Sequence, residues 1–308
     1  MAKKILDNKH KSKLLNVITK LKEYFENEST NNNDISIFLC GGNSPSQSQY
    51  RRILGKEIIK KTSKYSYTVH YPEDIFTNLL VGPRRKDLMT LETLLGDSVR
   101  CIVILLQSAG TYTELGVFSS HPDLQNKLIV ITENKYKKEK SFINLGPIRY
   151  LKTQTKSKLI YVDNFDISNI EKFSDSLLEK TREFELTPPK YDLLLNPVSS
   201  IYLYLAIIYV FDGISKDILL LLIKSLLNDK SAPIKDMIEV IIDNLIKTSK
   251  VLISSGLLYV TDAGITSLIS EYSTRRKSSE IQQLLTESRL AVLNLTMRKY
   301  YTFLWSGR

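Results

Sequence analysis

Residues Cys101–Phe118 read CIVILLQSAGTYTELGVF, and this stretch decides the fold class. Cys101–Leu106 is an uninterrupted apolar run rich in β-branched residues, the pattern of a strand buried on both faces of a sheet. It breaks at Ser108-Ala109-Gly110. A short amphipathic turn of helix is expected next, with Thr111 or Thr113 as its cap and Glu114 in its first turn. Open α/β sheets bind ligands just beyond the carboxyl ends of their central strands, which is where Glu114 falls. A helix N-terminus also favours negative charge, so Glu114 is expected to stay ionised without a dedicated cation. A glutamate here equally serves to start a helix, and position by itself leaves both roles open.

The same alternation extends in both directions. Met1–Phe25 reads as a basic amphipathic helix with Leu14, Val17, Ile18, Leu21 and Phe25 at helical spacing. Ile35–Leu39 is the first buried strand and runs into Cys40-Gly41-Gly42-Asn43. A helix, Ser46–Lys61, follows with Arg51 and Arg52 on an exposed face. Tyr67–Tyr71 is the second strand and closes on Pro72-Glu73-Asp74. Asp87–Ser98 is helical, Lys127–Thr132 is the fourth strand, Leu159–Val162 the fifth, and Ile170–Phe184 another helix. This rhythm predicts an α/β fold, a doubly wound parallel five-stranded sheet with right-handed crossovers.

Leu186-Thr187-Pro188-Pro189 is the clearest linker. Beyond it, helices are expected near Pro197–Phe211, Lys216–Leu227 and Ile234–Thr248, then two short strands, Val251–Ile253 and Leu257–Val260. Three helices followed by a hairpin is the order of a winged helix-turn-helix. Helices Thr266–Thr274 and Ser279–Met297 complete the chain. The boundaries so read are 1–33 for the basic helix, 34–186 for the α/β domain and 187–308 for a winged-helix domain with C-terminal helices.

Composition narrows the classes. The 308 residues are 43% hydrophobic and 25% charged, as in a soluble globular protein of about two domains. Cys40 and Cys101, the only cysteines, sit in or beside buried strands, so structural thiols of a reducing cytoplasm are expected rather than a disulfide framework. His10, His70 and His121 are scattered without cysteine neighbours, and no metal site is expected. Met1–Lys20 lacks the apolar segment of a cleavable signal. Ile201–Ile223 is interrupted by Asp212-Gly213 and Lys216-Asp217, which argues for two core helices rather than a membrane span. The net charge of +10 suits a polyanionic partner but barely favours nucleic acid by itself.

Three strand ends converge in such a sheet, at Cys40–Asn43, Tyr71–Asp74 and Ser108–Glu114. Gly41 and Gly42, with Asn43, let backbone N–H groups approach an anion or a ribose, although the pair matches no phosphate-loop fingerprint and is also a plain tight turn. Glu73 and Asp74 are candidates for ribose hydroxyls or for capping the next helix. Ser108, Gly110 and Thr111 form the turn before Glu114. Tyr71 and Tyr112 are candidate stacking partners for a flat base, and Asn144 for a ribose or amide. No serine–histidine or cysteine–histidine arrangement stands out. The chemistry then rests on carboxylates, which suits reactions through an oxocarbenium ion.

IFLCGG, HYPEDIF, the pair Leu91-Glu92, LLQSAGTYTELGVFSS and KSFINLGPIRYL resemble, in order and spacing, the toxic effectors of bacterial retron anti-phage systems. The N-terminal domain of those effectors is similar to nucleoside 2-deoxyribosyltransferases, and a winged-helix domain follows. The resemblance implies that Glu114, between Gly110-Thr111 and Leu115-Gly116, is the nucleophile at the sugar anomeric carbon. It matches the family's base-reading acidic residue only loosely to Glu73 or Asp74. No residue matches the asparagine that the transferases borrow from a neighbouring subunit, which favours hydrolysis over base exchange. The resemblance further implies cleavage of NAD, as substrate and with no cofactor, into nicotinamide and ADP-ribose. It implies restraint by a reverse transcriptase and its msDNA, an RNA–DNA hybrid, and a homo-oligomer or larger assembly. Lys3–Lys22, Lys135–Lys140, Lys247/Lys250 and Arg275-Arg276-Lys277 are then candidate contacts. Action on deoxynucleosides or nucleotides is one alternative. A non-enzymatic winged-helix DNA binder that senses a nucleotide is another.

Overall fold

The computed structural model describes residues 8–31, 34–61, 65–74, 87–184, 192–227, 234–271 and 275–305. The chain divides into two compact units, Thr30–Tyr191 and a second made of Met1–Ser29 with Asp192–Arg308. The N-terminal helix, set apart in the sequence as a segment of its own, thus groups with the C-terminal residues. The linker Leu186-Thr187-Pro188-Pro189 lies outside the described residues.

In the first unit, strands β1 (Asp34–Cys40), β2 (Ser66–His70), β3 (Cys101–Leu105), β4 (Leu128–Glu133) and β5 (Lys158–Val162) form a sheet in the order β2-β1-β3-β4-β5. Every pairing is parallel, with Phe38 opposite both His70 and Ile102, and Ile104 opposite Cys40 and Val130. The order reverses between β1 and β3, which makes a crevice at their carboxyl ends. All five residues of β3 are buried, as its apolar run required. Alternation then assigns the faces.

The helices are α1 (Asn8–Asn31), which belongs to the second unit, then α2 (Pro45–Lys60), α3 (Leu88–Ser98), α4 (Ala109–Ser120), α5 (Arg149–Gln154) and α6 (Ile170–Thr181). Ile35, Ile37, Leu39, Val103, Leu105, Ile129 and Ile131 pack in one core with Tyr50, Leu54 and Ile58 of α2 and Leu177 and Leu178 of α6. Phe38 points to the opposite face and meets Phe118 of α4, ring centroids 6.1 Å apart. The FINLGPI block forms a π turn, Asn144–Ile148, that runs into α5. Pro147 lies inside it, and a proline nitrogen cannot donate the bond that a regular helix needs there.

In the second unit, α7 (Ile201–Phe211) is the central element, apolar on nearly every side; its Tyr204 is fully buried and donates its hydroxyl to Leu194 O at 2.9 Å. Asp212 ends α7 in the left-handed conformation (φ 48°). Helices α8 (Lys216–Leu226) and α9 (Ile234–Lys247) follow, then the antiparallel hairpin β6 (Val251–Ser254) and β7 (Leu257–Val260). Ile214 adds a bridge to Leu258, with N–H···O bonds of 3.3 and 2.9 Å. Helix α10 (Asp262–Glu271) begins before the expected Thr266, because Thr261 Oγ1 accepts the Gly264 N–H at 3.1 Å and caps it early. Helix α11 (Arg275–Trp305) outruns the expected Ser279–Met297 at both ends. The α1 stripe Leu14, Val17, Ile18, Leu21 and Phe25 is buried as its spacing predicted.

The α10–β6 packing hinges on Gly264, where a Cβ would lie 2.2 Å from Lys250 O and 2.7 Å from Val260 Cγ1. The obstructing atom is backbone and cannot rotate away. Gly264→Ala is expected to destabilise the protein by about 1–3 kcal/mol, outweighing the helix propensity gained. Thermal denaturation followed by circular dichroism checks it; an unchanged Tm would show that the Lys250 backbone yields freely.

Candidate active site

The turn after β3 is fixed by Ser108 and Thr111. Ser108 is the N-cap of α4, and Thr111, buried at the third helical position, returns the contact. Thr111 Oγ1 donates to Ser108 O at 2.8 Å and accepts from the backbone N–H groups of Gln107 and Ser108 at 3.1 Å each. The cap is therefore neither Thr111 nor Thr113. A serine side chain with extended backbone satisfies the first N–H groups, so the helix starts at Ala109. Glu114 falls in the second turn as a consequence, and the first turn carries no acidic residue. The helix dipole is strongest in the first turn and does not account for its charge.

What surrounds Glu114 is a buried cluster drawn from four elements. Cys40 closes β1 and hydrogen-bonds the Glu114 carboxyl through its thiol. Arg51 on α2 is 2% exposed, not on an exposed face as its sequence position suggested. Its Nη1 donates to Gly41 O at 3.4 Å, and its Nη2 donates to Asn43 Oδ1 at 3.4 Å and Glu73 Oε1 at 2.6 Å. Glu92 of α3 is buried. Glu114 Oε2 is buried and has no hydrogen-bond partner among the described residues.

Burial pushes the Glu92 carboxyl up to about 8, and the negative charges of Glu114 and Glu73 push in the same direction against Arg51. The Glu114 carboxyl is also raised, first by burial and then by Glu73, while the Cys40 thiol and Arg51 oppose the rise. Two close carboxylates do not both ionise readily. Of the pair, Glu92 is the one driven furthest from the ordinary carboxyl range, whereas Glu114 has the Cys40 thiol to hydrogen-bond its ionised form, which favours the proton on Glu92 and the charge on Glu114. The Cys40 thiol is pushed well up by burial and the two glutamates, so it is neutral and able to donate. A buried carboxylate with one bare oxygen beside a neutral carboxylic acid can stabilise or attack a cationic carbon and supply a proton nearby.

Some of the other candidate residues join this cluster and the rest lie outside it. Gly41, Asn43 and Glu73 join the cluster through Arg51. Arg52 binds Asp74 at 2.5 and 2.9 Å and Glu73 at 2.9 Å, and its guanidinium lies 4.0 Å from the Tyr71 ring centroid. Tyr71 is buried in the core with that face already covered, so it is not open to stack on a flat base. Gly42 donates its N–H to Gln107 Oε1 at 3.4 Å, and a Cβ on it would lie 2.1 Å from Gln47 Oε1, so its openness is used inside the protein. Ser108 and Tyr112 border a cavity of about 570 Å³, which Glu114 does not line. Gly110 is exposed on the α4 first turn. Asn144 donates to Tyr136 O at 2.6 Å and Glu139 O at 2.9 Å, clamping the lysine-rich loop.

Arg51 and Glu92 carry the electrostatics, yet neither stood among the sequence candidates for the site. The Leu91-Glu92 pair was visible as a matching block, but a glutamate early in an amphipathic helix looks like any solvated residue. At the amino ends of β3 and β4, away from this cluster, Asp97, His121 and Asp123 bring potential ligand atoms within 4.8 Å of one another. Both cysteines are buried and unbridged. Among the described residues no helix is long and apolar enough to cross a membrane.

A parallel five-stranded sheet with a carboxylate cluster at its switch point defines the class, an α/β protein whose strand ends, where open sheets of this kind place their ligands, hold the candidate site. Residues 47–258 match the family described as STM3845 retron effector protein, and the chain belongs to that family of retron effectors. It is 29% identical over 287 residues to an Escherichia coli protein of retron Ec86, named provisionally a ribosyltransferase/DNA-binding protein, covering 87% of each chain. It is 32% identical over 165 residues to the similarly named protein of retron Ec73 from Escherichia coli, covering 51% of this chain and 49% of that one.

The raised Glu92 carboxyl makes a stability prediction. Its native pKa of about 8 stands above the ordinary glutamate value, so its contribution is fully present at low pH and is lost as pH climbs toward 8. Glu92→Gln, neutral at every pH, is therefore expected to match wild type in Tm near about pH 4 and exceed it near about pH 9. Denaturation at a series of pH values checks this; parallel curves would mean that Glu92 is ionised in the folded protein.

Proposed function

We propose that this retron effector is an N-glycosidase in which Glu114 is the catalytic carboxylate, with NAD as its substrate. The observation that carries the reading is the bare, buried Oε2 of Glu114 at the strand ends, beside a carboxyl that keeps its proton. In such a reaction the bond between the ribose anomeric carbon and the nicotinamide nitrogen breaks, and its electron pair neutralises the pyridinium. The sugar carbon becomes cationic, and Glu114 offsets the charge or bonds to it. Water then adds its hydroxyl to that carbon and releases a proton, giving nicotinamide and ADP-ribose. Nicotinamide departs neutral and needs no proton, so one carboxylate in a dry pocket supplies most of the stabilisation.

The alternative substrate class, deoxynucleosides or nucleotides, draws support from Glu92. A nucleobase leaves as an anion unless it is protonated, and a carboxyl held neutral up to about 8 is a suitable donor. The names of the relatives, ribosyltransferase and DNA-binding protein, fit both substrate classes and a nucleic-acid partner. In the second unit we read α7 to α9, the β6–β7 hairpin and the Ile214 bridge as a winged helix that docks a reverse transcriptase and msDNA. The complex would hold Glu114 inactive. Lys135 and Lys137 stand exposed on the lysine-rich loop; the side chains of Arg275, Arg276 and Lys277 lie outside the described residues.

Glu114→Gln preserves shape and hydrogen bonding while deleting the charge. It is expected to fold normally and lose base release by about three orders of magnitude or more. The freed protein is incubated with NAD and, separately, with deoxynucleoside monophosphates, and products are resolved by chromatography. Nicotinamide release supports the reading. Nucleobase release with NAD intact moves it to the alternative, and full activity of the glutamine variant removes Glu114 from the mechanism.

A further inference from the structure

The order of three helices and a hairpin puts α9 where a DNA-reading helix-turn-helix carries its recognition helix, and puts β6–β7 in the place of the wing. The core takes the apolar side of α9, from Ile234 to Leu245. The other side carries Lys235, Asp236, Glu239, Asp243 and Lys247, so three carboxylates stand against two lysines. Burial raises the Asp243 carboxyl, Lys216 at 3.7 Å opposes the rise, and the charge of Glu239 adds to it. Duplex DNA carries one negative charge per about 1.7 Å of its axis, and proteins meet it with lysines and arginines. A helix face with an excess of carboxylates is repelled by such a surface.

The hairpin deepens the mismatch. Val251–Val260 reads VLISSGLLYV and carries no charged side chain. Leu252 and Ile253 are 44% and 51% exposed there, beside the exposed turn Ser254-Ser255-Gly256. Lys250, a candidate contact in the sequence together with Lys247, holds its ammonium 5.5 Å from the Tyr202 ring centroid. Its backbone N–H donates to Leu245 O at 2.9 Å, which ties the hairpin to the end of α9. An exposed leucine and isoleucine beside carboxylates suit the apolar centre and polar rim of a protein–protein contact. Two cations of the same unit, Lys13 and Lys20, stand elsewhere, where with Asn16 and Asn294 they line a groove of about 310 Å³ between α1 and α11.

From this pattern we infer that the face formed by α9 and the hairpin docks a protein whose apolar contact is edged by lysines or arginines, and that it does not meet nucleic acid. Proteins that handle nucleic acid present such cations themselves. The inference rests on the docking reading above and narrows it, because of the two components of that complex this face takes the reverse transcriptase. It is independent of the chemistry at Glu114.

Interferometry of the full chain on immobilised reverse transcriptase with its msDNA, and on msDNA stripped of protein, tests it. Leu252→Ser/Ile253→Ser and Glu239→Lys are each expected to weaken binding to the complex about 10-fold or more, the scale of a truncated hot spot, with circular dichroism unchanged. Binding to stripped msDNA is expected to be the same for the serine variant as for wild type. A nucleic-acid contact predicts the opposite sign for Glu239→Lys, since an added cation tightens binding to phosphates and steepens its salt dependence. Tighter binding of Glu239→Lys to the complex, or a loss on stripped msDNA in the serine variant, gives the face to nucleic acid and overturns the inference. Wild-type affinity in either variant also overturns it and leaves the docking reading in place. Failure of the wild-type chain to bind even the intact complex removes that reading and the inference with it.

Discussion

The buried guanidinium of Arg51 is the constraint on which the site depends. It joins two strand-end loops, through Gly41 O and Asn43 on one side and Glu73 on the other, and it sets its charge against Glu92 and Glu114. Without a cation at that point, bringing these carboxyls together would leave like charges in a poorly solvated space, and they would stay protonated or separate. With it, one carboxylate can be charged while its neighbour keeps a proton. The asymmetry between Glu92 and Glu114 is thus a property of the whole cluster. It gives two chemically identical side chains different roles.

The sheet was legible in the sequence because its strands announce themselves. Runs such as Cys101–Leu106 and Lys127–Thr132 are too apolar for exposure and too β-branched for an easy helix, and their spacing leaves room for one crossover helix each. Of the candidate site, Glu114, the Gly41–Asn43 loop and Glu73 were legible in the sequence, and Arg51 and Glu92 were not. Arg51 sits next to Arg52 in a helix that reads as solvated, and nothing local says that one guanidinium turns inward while the other lies over Tyr71. That choice is made by Gly41 O and Asn43, which bond Arg51, by Asp74, which bonds Arg52, and by the strand register that brings β2 beside β1 so that both reach Glu73. The cap of α4 was misplaced because three hydroxyl residues, Ser108, Thr111 and Thr113, compete for it. Only backbone geometry shows that Ser108 caps and Thr111 answers. A shift of one turn moved Glu114 from the reach of the helix dipole into a cluster.

The two faces of α4 do different work. Thr111, Leu115 and Phe118 are buried and tie the helix to the sheet. Tyr112 and Glu114 flank that stripe, one toward the cavity and one toward Cys40. The helix is therefore anchored along its middle and presents chemistry along both edges. A short helix, three turns in all, suffices because its first turn is locked by reciprocal Ser108 and Thr111 bonds rather than by propensity.

The grouping of α1 with Asp192–Arg308 has a consequence for how the protein is made. The sheet unit, Thr30–Tyr191, is inserted between two parts of the other unit, so its residues are complete on the ribosome before the partners of α1 exist. At synthesis rates of about 5–20 residues per second, α1 waits some ten seconds or longer for those partners to be translated. Through that interval the Leu14, Val17, Ile18, Leu21 and Phe25 stripe has no native surface to cover it. The lysines of the same helix, Lys11, Lys13, Lys20 and Lys22, then act as a solubilising flank on the nascent chain. The sheet unit with its Glu114 cluster can fold first, and the second unit can be finished only when the last helices of the chain have emerged.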